Sequence, residues 1–123
     1  ERENKAKGII EEAKQKIQEE FGDPDIGLEK IAAEVGLTQT YFSSLFKKET
    51  GMNLNRYIRV FRMEKAKELL CSTNMKVAQV SEQVGIPNVS YFCRSFREYY
   101  GSSPESYRKG TGEEDESNGS NKM

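Results

Sequence analysis

An all-α fold is what this sequence predicts, built as two helix-turn-helix subdomains joined by a long linker helix. Three observations carry that expectation. Apolar residues recur at three- and four-residue spacing along most of the chain, the mark of helices with one buried face. Hydrophobic residues make up 35% and charged residues 32% of the 123 positions, which suits helices with solvated outer faces better than a sheet. The apolar pattern then repeats after about 50 residues, so one supersecondary unit has been used twice.

Residues 3–21 form the first expected helix, with Ala6, Ile9, Ile10, Ala13, Ile17 and Phe21 on one face. Gly22, Asp23 and Pro24 end it, because the residue before a proline is pushed out of the α region. A short second helix presents Leu28, Ile31, Ala32 and Val35 on one side, and Gly36 breaks it. Gly27 stands at its start, where serine would give a firmer N-cap. Thr38 caps the third helix, whose inner face is Phe42, Leu45 and Phe46; Gly51 sits where a C′ glycine belongs. The linker helix runs from about Leu54 to Cys71, with Tyr57, Ile58, Phe61, Ala66, Leu69 and Leu70 as its apolar set. Val77, Val80 and Val84 then lead to Gly85 and to a helix carrying Phe92 and Phe96, which Gly101 closes. Pro87 lies in that second turn, where it removes a backbone donor and stiffens the approach to the next helix. Ser103 and Pro104 open a last short helix, as N-cap and first helical residue. From residue 110 to 123 Gly, Glu, Asp, Ser and Asn dominate, a composition that buries no core, so a disordered tail is expected. The expected organisation is an N-terminal helix over 1–26, a first module plus linker over 27–72, a second module over 73–109, and the tail.

The duplication is specific. Ile31, Val35 and Gly36 recur 49 residues later as Val80, Val84 and Gly85. Tyr41, Phe42, Phe46, Lys47, Gly51 and Tyr57 recur 50 residues later as Tyr91, Phe92, Phe96, Arg97, Gly101 and Tyr107. The offset changes inside the turn, where insertions are tolerated best. Each copy reads as apolar helix, glycine turn, aromatic-bearing helix and glycine stop. That is a helix-turn-helix: the glycine permits the sharp turn, and the second helix keeps one exposed face able to enter a major groove.

Charge and composition narrow the function. Residues 36–110 carry 12 Lys/Arg against 6 Asp/Glu, while residues 1–35 carry 6 against 10 and residues 111–123 carry 1 against 4. The basic middle suits an anionic polymer. The chain has no histidine, which removes the commonest general base and metal ligand. It has no glycine-rich phosphate loop, and Cys71 and Cys93 lack metal-site spacing. No catalytic residue, metal or cofactor is therefore expected. No apolar run approaches the ~20 residues of a membrane span and no signal peptide opens the chain, so a cytoplasmic setting without membrane contact is expected. The start at Glu1 rather than Met reads as an excised fragment.

The stretch from about Leu28 to Lys109 resembles the DNA-binding domain of the AraC/XylS family. The matching motifs are LEKIAAEVGLTQTYFSSLFKKETG, the linker NRYIRVFRMEKAKELL, and VSEQVGIPNVSYFCRSFREYYGSSPESYR. The resemblance implies two homeodomain-like three-helix modules that place recognition helices in adjacent major grooves. Acidic, helix-forming residues before Leu28 resemble the lead-in seen where this domain follows the receiver of a two-component response regulator.

The resemblance places base contacts in the first recognition helix at Thr40, Ser43 and Ser44, where longer side chains often read bases; the outward face also leaves Gln39, Lys47 and Lys48 for phosphates. Serine and threonine discriminate little among bases, so this module is expected to position more than it specifies. In the second recognition helix the outward residues include Asn88, Ser90, Cys93 and Arg94 for bases and Arg97 for phosphate. Arg94 is the strongest base reader, since arginine bonds guanine O6 and N7 with both arms. Arg59, Arg62 and Lys65 on the linker could form a basic stripe, although pairing with Glu64, Glu68 or the first helix accounts for them as well. The repeated aromatics Phe42, Phe46, Phe92, Phe96, Tyr57 and Tyr107 read as core and not as base-stacking platforms. Double-stranded DNA is thus the expected partner, with RNA polymerase as a second; the fragment is expected to be monomeric and the whole protein capable of dimerising. A helical protein-interaction module without DNA contacts is the other class the pattern allows.

Overall fold

The computed structural model describes residues 2–113, and the expected tail beyond residue 113 lies outside them. Among the described residues there are helices and no strand: α1 (Arg2–Glu20), α2 (Leu28–Glu34), α3 (Gln39–Thr50), α4 (Leu54–Ser72), α5 (Val77–Gln83), α6 (Val89–Tyr100) and α7 (Pro104–Glu113). The chain divides into two compact units, residues 1–62 and the segment from Met63 onward. The boundary falls inside α4, so the linker helix is shared between the units and does not belong to the first module alone. Helix α7 also includes residues 110–113, which composition had placed in the tail.

In the first unit, Ile10, Ala13 and Ile17 of α1 pack in one cluster with Ile31 and Ala32 of α2, Phe42, Leu45 and Phe46 of α3, and Leu54 and Ile58 of α4. Ile26, in the loop before α2, joins them. Phe46 meets Tyr57 edge-on at 5.2 Å, and Phe21 meets Phe61 at 5.3 Å. The turn between α2 and α3 needs Gly36, which adopts φ +78°, a region that any Cβ strains. Leu37 N–H closes the turn on the Ala32 carbonyl at 3.0 Å. Thr38 Oγ1 accepts from Tyr41 N–H at 3.2 Å, the expected cap, whereas Gly27 offers α2 no side-chain bond.

Arg62 departs from the expected stripe. It turns inward, donating from Nε to the Phe21 carbonyl at 3.1 Å and from Nη2 to the Asp23 carbonyl at 2.9 Å. Those carbonyls lie past the C-terminus of α1, where backbone acceptors have no partner within the helix. Lys65, by contrast, pairs with Glu68 at 3.4 Å. In the loop that Arg62 clamps, Lys30 Nζ donates to Asp23 Oδ2 at 2.7 Å, and that bond holds the Asp23 carboxyl below its usual range.

The second unit repeats the plan with different residues. Met63, Ala66 and Leu70 are buried on α4 with the spacing of Ile10, Ala13 and Ile17, and the Tyr100 hydroxyl donates to the Met63 carbonyl at 3.2 Å, which ties this half of α4 to α6. Val80, Val84, Ile86, Phe92 and Phe96 complete the core. Phe96 lies 4.6 Å from Tyr100 and 5.5 Å from Tyr107, ring to ring. Ser81 is buried where the first copy has Ala32, and its hydroxyl donates to the Ile86 carbonyl, an extra tie across the longer turn. Asn88 Oδ1 caps α6 by accepting from Tyr91 N–H at 2.9 Å, and Ser103 Oγ caps α7 through Ser106 N–H at 3.2 Å. Arg108 then repeats the clamp. It donates to the carbonyls of Leu70 (3.0 Å), Thr73 (3.3 Å) and Met75 (2.6 Å), at and beyond the end of α4. Arg108 aligns with Ile58 at the 50-residue offset, so the two clamps arise from positions one helical turn apart.

Candidate nucleic-acid interface

Helices α3 and α6 are each 12 residues long, each begins after a side-chain cap and each ends at a left-handed glycine. In each first turn the cap accepts from one backbone N–H, that of Tyr41 in α3 and of Tyr91 in α6, and the helix dipole adds a partial positive charge at that end. The buried residues Phe42, Leu45 and Phe46 fix which side of α3 faces solvent, and Phe92 and Phe96 do the same for α6.

On α3, Gln39, Thr40, Ser44, Lys47 and Lys48 are exposed and Ser43 is half-buried. The sequence-derived set thus shares one helix surface, with short hydroxyls toward the N-terminus and lysines in the last turn. On α6, Ser90, Arg94 and Arg97 are exposed and Cys93 is half-buried. Asn88 is exposed but precedes the helix, and its capping bond occupies the side-chain oxygen, leaving the amide N–H groups to donate outward. Burial, and after it the Glu105 carboxylate, push the Cys93 thiol upward, so it stays protonated and behaves as a small apolar group.

Among the described residues, Lys47, Lys48, Arg94 and Arg97 take part in no ion pair; the pairs present are Lys14–Glu11, Lys30 with Glu20 and Asp23, and Lys65–Glu68. The cations of the two faces are thus exposed without an ion-pair partner, as are Arg56 and Arg59 on α4. Two residues missed in the sequence also stand on these faces. Tyr41 is 56% and Tyr91 45% exposed, whereas the other repeated aromatics are buried or half-buried. Helix phase could have separated them from the core set, because Tyr41 and Tyr91 lie about 100° around the helix from the buried Phe42 and Phe92. Val89, the first residue of α6, is exposed as well. Among the described residues no group of acidic, cysteine or histidine side chains could hold a metal ion, and no helix is long and apolar enough to cross a membrane.

Comparison with known proteins agrees with this architecture. The family model described as a helix-turn-helix domain matches residues 31–110. Regulatory protein PocR of Salmonella typhimurium is 40% identical over 85 residues, which are 69% of this chain and 28% of that protein. The C-terminal domain of the two-component response regulator yesN from Fusobacterium nucleatum has 37% identity and a TM-score of 0.77, covering 80% of this chain and 95% of that one. The C-terminal domain of AraT, a response regulator from Geobacillus stearothermophilus, has 36% identity and a TM-score of 0.79, covering 82% and 84%. This chain spans between 12% and 37% of the length of the curated relatives it matches. With the motif duplicated, the helices in the expected order and solved domains matched over nearly their whole length, the chain belongs to the AraC/XylS-type helix-turn-helix family.

Proposed function

We propose that this chain binds duplex DNA sequence-specifically, as the DNA-binding part of a bacterial transcriptional regulator, with α3 and α6 entering adjacent major grooves. The observation that carries the proposal is the pair of faces 50 residues apart, each polar near its capped N-terminus and each carrying cations without ion pairs. An interaction module would not need the repeated cations. The likeness to response-regulator C-terminal domains supports an output role, switched by phosphorylation of a receiver. On this proposal the chain acts in the cytoplasm as a monomeric DNA-binding unit within a protein able to dimerise, and RNA polymerase is its second partner.

Titrating fluorescent genomic fragments at several salt concentrations tests the proposal, since released counterions make phosphate binding fall steeply with salt. Lys47→Ala and Arg97→Ala are each expected to weaken binding to all sequences about equally and to flatten the slope of log affinity against log salt by about 1. Unchanged slopes in both variants would assign these cations to the solvated surface. Arg94→Ala is expected to lose about 1–3 kcal/mol on the preferred site and much less on random DNA. The change should be confined to one or two base pairs; an unaltered selected consensus would remove Arg94 as a base reader.

A further inference from the structure

We propose that Tyr91 is the positioning residue for Arg94, and that this pairing, present on α6 and absent from α3, makes the second recognition helix the selective one. The inference rests on the DNA-binding proposal above. Tyr91 is the third residue of α6, and the Asn88 cap on its backbone N–H fixes the turn from which the ring projects. The ring remains 45% exposed, so core packing does not account for its place. The Arg94 guanidinium carbon lies 5.9 Å from the ring centroid, within reach of a cation–π contact. Glu98 stands four residues beyond Arg94, where a helical ion pair would form, yet none is made between them.

An arginine on an exposed helix samples many rotamers and loses them when both arms dock on one base edge. A ring that already holds the guanidinium reduces that loss, and the planar group keeps its five donors free at the edge while its face is covered. Helix α3 has the matching tyrosine, Tyr41, but the residue three positions on is Ser44, which offers no cation to hold. The two helices therefore share the aromatic platform and differ in its cargo.

The test compares wild type, Tyr91→Phe and Tyr91→Leu, each also in an Arg94→Ala background, on the preferred site and on random duplex. Tyr91→Leu is expected to weaken preferred-site binding about two- to fivefold, the range of an exposed cation–π contact, and to leave random-duplex binding unchanged. Tyr91→Phe, which keeps the ring, should bind as wild type, and neither change should matter once Arg94 is alanine. The Arg94 Nε–Hε resonance in the free chain should be shifted upfield by the ring in wild type and Tyr91→Phe, and return to the free-arginine position in Tyr91→Leu. Equal losses for Phe and Leu, or a loss that persists without Arg94, would overturn the proposal by making Tyr91 itself a DNA contact. An unshifted wild-type resonance, or an unaffected Tyr91→Leu beside specific wild-type binding, would overturn it too. Wild type that shows no salt-dependent duplex binding at all would instead bring down the DNA-binding proposal, and this one with it.

Discussion

Phe96→Ala is expected to destabilise the second unit by about 3–5 kcal/mol, the range for emptying a buried aromatic site. Phe96 is fully buried, and three rings (Phe92, Tyr100 and Tyr107) lie within 6 Å of its centroid, so no single neighbour can swing in to fill the gap. A domain has about 0.05–0.15 kcal/mol of stability per residue. A unit of about 60 residues thus holds only about 3–9 kcal/mol on that scale, and the loss takes most of it. Urea denaturation followed by tyrosine fluorescence reads the effect directly, because the chain has no tryptophan and Tyr100 and Tyr107 flank the cavity. A loss under about 1 kcal/mol would mean that the ring cluster repacks without leaving a void.

Arg108→Ala should come next in size, at about 2–4 kcal/mol, since hydrogen bonds made by a charged group contribute about 1.5–3 kcal/mol each and this group is only partly buried. One side chain satisfies three carbonyls, those of Leu70, Thr73 and Met75, that neither α4 nor α5 can bond. Arg108→Lys is expected to recover little of the loss. A single ammonium on a flexible stem cannot span acceptors that the planar fork reaches together. Thermal melts of the three proteins check this, and a lysine variant equal to wild type would show that charge alone sustains the clamp.

Helix existence, most caps and the inner faces were legible in the sequence because they depend on residues three and four apart. Thr38, Gly51, Gly101 and Ser103 act through bonds to near neighbours, and such spacing is written directly in the chain; Asn53, which the sequence pattern alone does not single out, caps α4 by accepting from Arg56 N–H. The arginine clamps were not legible. Arg62 and Arg108 bond carbonyls 33 to 41 residues away, and no periodicity records a contact across that separation. Arg62 was further disguised by its neighbours, since Arg59 and Lys65 place it in what looks like a solvated stripe. Met63 sits among charged residues that mask its buried position, and only the shared spacing with Ile10 reveals its role. The candidate interface was readable to the extent that inward phenylalanines dictate outward positions. What Arg94 rests on was not, because helix phase does not specify a side-chain rotamer.

Each clamp joins the helix after a helix-turn-helix to the end of the helix before it, and this limits what can be excised or transplanted. A peptide containing α5 and α6 alone would lose Met63, Ala66 and Leu70 from one side of its core and Tyr107 from the other, and the carbonyls beyond α4 would vanish together with the arginine that serves them. The portable module of this architecture is therefore the four-helix segment from Met63 through Arg108, and for the first copy the segment from α1 through Arg62. A graft that moved only the two helices named in the motif would carry the recognition surface without the frame that keeps it in shape.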